Sequence, residues 1–119
     1  MNEVVPIPKI WRDGVCKTLD AGDFSKIKVP MSVSQRWEEM FAGEVTTLFM
    51  LIARTSEALK NDAITGIKVE TMRNEPGEVY EFLFPMEDKG VIVYAKISLR
   101  LANGEVFFHS AHRAERGYL

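Results

Sequence analysis

The stretch VIVYAKISLRLANGEVFFHSAHR, residues 91–113, decides the fold of this 119-residue chain. Two runs rich in β-branched and aromatic residues, 91–101 and 105–112, flank the dipeptide Asn103-Gly104. Asn-Gly favours the positive φ angles of a two-residue hairpin turn, so the stretch predicts two antiparallel strands. That turn would place three pairs of residues opposite each other: Arg100 with Phe107, Ser98 with His109, and Lys96 with Ala111.

Two further strand signals precede this hairpin, at residues 66–73 and 79–85. The segments 74–77 and 87–90, which contain Asn, Pro, Gly and Asp, separate the runs and are typical of turns. Short connections favour antiparallel pairing of successive strands, so we predict a four-stranded antiparallel meander over residues 66–112. In strand 91–101 the odd-numbered residues are apolar and should face a helix, and the other face should be open to water or to a ligand.

One long helix is expected over residues 33–60. Ser32 and Gln35 have the spacing of a capping box at its start. The apolar residues recur at three- and four-residue steps and predict one buried face: Trp37, Phe41, Val45, Leu48, Ile52 and Leu59. Gly43 leaves open the alternative of a kink or a break between two helices.

Residues 1–31 are expected to form an irregular but ordered N-terminal arm. Pro6, Pro8 and Pro30 disfavour regular structure, and residues 20–23 are typical of a turn. The arm nevertheless contains many apolar side chains, which favours packing against the main body. The fold class is therefore α+β, a long helix packed on a four-stranded antiparallel sheet, in one domain over residues 1–119.

Composition limits the function classes. The chain is 46% hydrophobic and 27% charged, as in ordinary globular proteins, and its net charge of −2 gives no general attraction to nucleic acid or anionic lipid. The single cysteine, Cys16, is expected in a polar loop without a reactive role. The sequence shows neither a signal peptide nor an apolar run long enough to cross a bilayer, which favours a cytoplasmic protein without a membrane partner. Because the sequence contains no phosphate-binding loop and no Cys or His residues at the spacing of a zinc site, no cofactor or metal is expected.

Residue types that carry chemistry concentrate at the end of the sheet. Lys96 and Arg100 are candidates to hold a phosphate, and His112 or His109 to transfer a proton near neutral pH. Candidate substrate-binding residues are Tyr94, Arg113, Arg116 and Tyr118. This is the inventory of a metal-independent ribonuclease, although a solvent-facing strand and a solvated C-terminal segment would carry the same residue types without any activity.

The last third of the chain contains, in order, residues 79–84, a turn, residues 91–101, Asn-Gly-Glu-Val-Phe-Phe at 103–108, and then His112 with Ala114-Glu115. This pattern resembles the C-terminal sheet of RelE/HigB-like toxins. These belong to the nuclease group that includes barnase and the colicin nuclease domains. The resemblance covers residues 79–118 and implies a toxin endoribonuclease that cleaves RNA without metal and is bound by an antitoxin. Arg113 separates His112 from Ala114, a departure from the family pattern. Only His112, Lys96 and Arg100 are carried over.

The alternative from a different class is a non-catalytic binding module of phage or mobile-element origin. Such a domain would hold a protein partner on the open sheet face or along a sheet edge. A helix followed by a meander is compatible with both functions, so the fold alone does not choose between them. The partners expected are therefore RNA, or an antitoxin or other protein.

Overall fold

A computed structural model describes residues 3–41, 47–70 and 75–115. In chain order the described elements are β1 (Val4–Pro6), α1 (Lys9–Ala21), β2 (Ile27–Lys28), α2 (Met31–Met40), α3 (Leu48–Leu59), β3 (Thr65–Val69), β4 (Glu78–Met86), β5 (Val91–Arg100) and β6 (Glu105–Arg113). A short 3-10 turn over Glu87–Lys89 joins β4 to β5. Within these ranges the fold is α+β, with three helices and a six-stranded mixed sheet.

The predicted meander forms the centre of the sheet. Strands β3, β4, β5 and β6 pair antiparallel in chain order, and the sheet order is β1-β3-β4-β5-β6-β2. The bounds of β4, β5 and β6 are close to the predicted ones, whereas β3 ends at Val69, and residues 71–73 of the predicted strand lie outside the described residues. Two short strands complete the edges, within the segments 4–10 and 27–29 where the sequence allows short extended pieces: β1 pairs antiparallel with β3, and β2 pairs parallel with β6. Both are too short, at three and two residues, to give a period-two pattern in the sequence.

The prediction of one helix over residues 33–60 is wrong, and the alternative of two helices is correct. The first helix, α2, ends at Met40, and the backbone of Phe41 has left the helical region. The second, α3, begins after Thr47, whose side-chain oxygen accepts a hydrogen bond from the Met50 amide. Gly43, the proposed weak point, lies outside the described residues. The expected capping box is also absent, because α2 starts directly after Pro30.

The N-terminal arm is ordered, as predicted, but it is not irregular. Residues Lys9–Ala21 form α1, which ends in a left-handed Gly22 at the predicted turn. Its buried side includes Trp11 and Val15, and Cys16 lies on this helix rather than in a polar loop. Pro8 stands before the first turn, where a missing N–H costs nothing, so the prolines begin the helix instead of preventing it.

The helices cover one face of the sheet. The core includes the odd-numbered side chains of β5 from Val91 to Leu99, as predicted, whereas Leu101 is exposed. Trp11 packs edge-on against Tyr80 of β4, and α2 lies along β6. Among the described residues, none of the helices has the length and apolar character needed to cross a bilayer.

The β5–β6 hairpin forms, but its turn is not the predicted two-residue turn. Arg100 pairs with Glu105, so four residues make the loop, and Gly104 has a positive φ of 74°. Thr18 of α1 donates a hydrogen bond to the Gly104 carbonyl, a tertiary contact that holds the longer loop. Ser98 consequently pairs with Phe107 and not with His109, and Arg100 pairs with Glu105 and not with Phe107. Lys96 pairs with Ser110 and not with Ala111, a shift of one residue because the register changes between Lys96 and Ile97.

Candidate functional site

The sheet face opposite the helices, hereafter the open face, carries a row of polar side chains across β4, β5 and β6. The register pairs Glu81 with Lys96, and Tyr94 with His112. Directly opposite residues have Cβ atoms about 4.5–5.5 Å apart, so the four side chains are neighbours. Three of them, Tyr94, Lys96 and His112, are candidates from the sequence. The fourth, Glu81, is new.

Contacts through Tyr94 connect the carboxylate to the imidazole. The Tyr94 hydroxyl donates a hydrogen bond to Oε2 of Glu81 at 2.5 Å, and its ring centroid lies 5.2 Å from that of His112. Nδ1 of His112 lies 2.8 Å from the main-chain oxygen of Arg113. Since a carbonyl oxygen only accepts, Nδ1 carries a hydrogen, and Nε2 is the nitrogen that can exchange a proton.

The imidazole and the ammonium group remain available to a ligand. Nε2 of His112 makes no hydrogen bond with the described residues. Within the described ranges, Oγ1 of Thr55 is the only fully buried side-chain polar atom that lacks a partner, so Nε2 of His112 is not fully buried. Nε2 therefore reaches solvent although His112 is only 8% exposed. Lys96 is half-buried and forms no ion pair with any described residue.

A second group of polar residues, hereafter the Glu75 cluster, lies farther along the same face. Glu75 places its buried carboxylate beside His109, with Oε2 3.2 Å from Nε2, and beside Arg100, with Oε1 3.8 Å from Nε. A β-bulge at His109 interrupts the β5–β6 pairing and shifts the alternation of the residues that follow it. The His109 ring stacks on that of Phe107, with centroids 4.5 Å apart, and lies next to Ser98, as predicted, although the two strands pair in a different register.

The Glu75 cluster has the residue types of a Ser-His-Glu triad but not its geometry. Nε2 of His109 lies 3.1 Å from Ser98 Oγ and also contacts Glu75, whereas a triad uses the two ring nitrogens separately. Ser98 is only 1% exposed and cannot meet a substrate. Burial lowers the pKa of His109, and the Glu75 carboxylate opposes that shift only in part. These features are those of a structural contact.

Arg100 contributes little positive charge to the open face. Besides its contact with Glu75, its Nη1 lies 3.3 Å from Glu105 Oε1, so two carboxylates flank one guanidinium. Arg113 follows His112 in β6, and strand alternation places it on the opposite face. Arg116 and Tyr118 lie outside the described residues. The structure therefore brings together only Tyr94, Lys96 and His112 of the candidate residues.

The two carboxylates that the sequence analysis missed differ in how far they were predictable. Glu81 shares a face of β4 with Val79 and Leu83, so the predicted strand 79–85, followed by a short turn, contained enough information to place it near Lys96. Glu75 lies in the segment before β4, where no periodic pattern indicates which side chain folds over the sheet. In the part of the chain that the structure describes, no three His, Cys, Asp or Glu side chains are grouped to hold a metal ion.

A comparison with protein-family models, curated proteins and solved structures found no match to this chain in any of the three.

Proposed function

We propose that this chain is a metal-independent endoribonuclease whose catalytic residues are Glu81, Lys96 and His112. The observation that carries the proposal is their convergence on three neighbouring strands of the open face. A carboxylate, an ammonium group and an imidazole are the groups that RNA cleavage by acid–base catalysis needs: a proton acceptor, a cation for the phosphate and a proton donor.

The spatial order of these groups fits an in-line displacement. Glu81 accepts the proton of a ribose 2′-hydroxyl, and the 2′-oxygen forms a bond to phosphorus. The bond from phosphorus to the 5′-oxygen breaks, and His112 donates a proton from Nε2 to that leaving oxygen. Lys96 lies in β5, between the strands of Glu81 and His112, where its charge stabilises the pentacoordinate phosphate. The products are a 2′,3′-cyclic phosphate and a free 5′-hydroxyl.

Three of the original candidates receive other roles in this proposal. His109 and Arg100 belong to the Glu75 cluster, where two carboxylates flank Arg100 and His109 contacts the Glu75 carboxylate. Tyr94 positions Glu81 through its hydroxyl. Substrate binding by Arg113, Arg116 and Tyr118, and a role as the toxin of a toxin–antitoxin or phage system, remain predictions from the sequence.

The test is a cleavage assay on labelled RNA in EDTA with charge-removing variants. Glu81→Gln, Lys96→Met and His112→Gln should each lower the rate by about 10²-fold or more. The matched controls are Glu78→Gln and Lys68→Met, exposed residues on the other face of β4 and β3. Equal rates for all five variants would place the activity elsewhere, and no cleavage by the wild type would end the proposal.

The second candidate function is the non-catalytic protein-binding module. The observation that favours it is apolar surface beside the polar row: Ile92 is 41% exposed, and Leu83 and Phe107 are half-buried on the same face. Exposed apolar side chains near a polar patch are typical of protein interfaces. Ready overexpression of the wild-type gene, together with inactivity on RNA, would support this candidate instead.

A further inference from the structure

A cavity of about 610 Å³ opens at the edge of the sheet, beside the end of β4. The register of β3 with β4 ends at the pair Gly66 and Phe82, but β4 continues to Met86. Pro85 lacks the backbone N–H that would donate a hydrogen bond to a further strand, as is typical of residues at the edge of a sheet. The last residues of β4 therefore lie without a β3 partner, and α3 forms the opposite wall.

The cavity has an apolar floor and a polar rim. The floor comes from buried side chains of the helix-covered face, Ile64, Phe82, Phe84 and Met86. Glu57 of α3 and Asn61, which follows that helix, form one side of the rim, and Glu81 of β4 forms the other. A volume of several hundred Å³ with few polar groups around an apolar floor is typical of sites for small organic molecules.

The charged groups of the lining give the cavity a negative character. Arg54 also lines it, but two hydrogen bonds of 2.8 and 2.6 Å to Asp88 neutralise that guanidinium. Glu57 forms no hydrogen bond or ion pair with the described residues. Glu81 accepts from Tyr94 at Oε2, which leaves Oε1 to accept from a ligand. Glu57 has Arg54 and Lys60 as cationic neighbours, but each of these is ion-paired with an aspartate, Asp88 or Asp20. Glu57 and Glu81 thus line the cavity without forming an ion pair with a described residue.

We infer that this cavity binds a small amphipathic organic cation, an amine attached to an aromatic or aliphatic body. The body replaces water on the apolar floor, and the ammonium group is attracted by Glu57 and Glu81. An anionic ligand would meet the same carboxylates and be repelled. The cavity shares Glu81 with the proposed ribonuclease site, but Glu57 and the apolar floor are separate from Lys96 and His112, so binding and cleavage can be tested independently.

The probe is dansylcadaverine, whose naphthalene ring fluoresces more strongly in apolar surroundings and whose chain ends in a primary amine. Its fluorescence should rise and saturate with the wild-type protein, and added salt should weaken the binding. Neutral N-pentyl dansylamide and anionic dansylglycine should bind more weakly than the amine. Removing one exposed charge, in Glu57→Gln, should weaken binding of the amine about 2- to 5-fold.

Two further variants locate the site. Ala63→Trp places a large side chain at an exposed position of the lining and should abolish saturable binding. Glu38→Gln removes an exposed charge on α2, outside the lining, and should leave the affinity unchanged. Equal affinity for the amine and its neutral analogue, or unchanged binding by both Glu57→Gln and Ala63→Trp, would overturn the inference. A loss of binding in Glu57→Gln with RNA cleavage intact would support the cavity site separately from the nuclease.

Discussion

Replacing Arg12 by methionine should lower the free energy of unfolding by about 3 to 5 kcal/mol. Arg12 is only 5% exposed, and its guanidinium connects the N-terminal arm to the end of α3. Nε donates to the Ile7 carbonyl at 3.1 Å, and Nη1 donates to the Leu59 carbonyl at 2.9 Å. Leu59 is the last residue of α3, where carbonyl oxygens lack helical partners and a cation is favourable.

The magnitude follows from these contacts. Each of the two hydrogen bonds from the buried charged group contributes about 1.5–3 kcal/mol. The third contact, from Nη2 to Asp62 at 3.1 Å, adds less than about 1 kcal/mol because the Asp62 side chain is 83% exposed. Burial of the methionine side chain offsets part of the total.

Chemical denaturation of Arg12→Met and of a matched control measures this effect. The control is Lys9→Met, on the same helix, where an exposed cation pairs only with Asp13. Its free energy of unfolding should change by less than about 0.5 kcal/mol. A loss below about 1 kcal/mol in Arg12→Met would refute the reasoning, because it would mean that the two carbonyl oxygens find other partners.

Three other consequences can be measured on the purified protein. Burial lowers the pKa of His109, so the unfolded chain binds a proton at this imidazole more readily than the folded chain does. The free energy of unfolding should therefore fall as the pH drops below about 6.5, and urea denaturation of His109→Gln should show a smaller fall. Burial raises the pKa of the Cys16 thiol, so iodoacetamide should alkylate it slowly until the protein unfolds, as mass spectrometry will show. A methyl group in Gly66→Ala would lie 2.5 Å from a main-chain oxygen of β4, so the midpoint of thermal unfolding should drop, with a loss of about 1–3 kcal/mol.

The strands of the meander were predictable because they carry strong local signals. Their runs of β-branched and aromatic residues, and the turns between them, gave strand bounds close to the observed ones for β4, β5 and β6. The helix break was harder to predict, because the apolar spacing continues from Trp37 through Leu59 across the two helices. Periodicity reports which residues face the core, and it does not report whether the backbone between them remains helical.

The candidate site was predictable only where strand alternation determines it. The open-face positions of Tyr94 and Lys96 follow from alternation along β5, and Glu81 follows from the same rule applied to β4. His112 reaches this face only because the bulge at His109 shifts the alternation in β6. The Glu75 cluster depends on tertiary contacts that no local pattern encodes. A bulge at His109 changes which face the following residues of β6 occupy, and a segment outside the sheet supplies the carboxylate. Neither feature has a signal in a single sequence.

The most direct test of the proposed ribonuclease activity is the dependence of cleavage on one ribose 2′-hydroxyl. The substrate is a labelled DNA oligonucleotide with a single ribonucleotide, incubated with the wild-type protein in EDTA beside the all-DNA strand. If Glu81 activates a 2′-hydroxyl and His112 protonates the leaving oxygen, cleavage occurs only after the ribonucleotide and leaves a 2′,3′-cyclic phosphate. Cleavage of the all-DNA strand, or no cleavage of either substrate, would contradict the account.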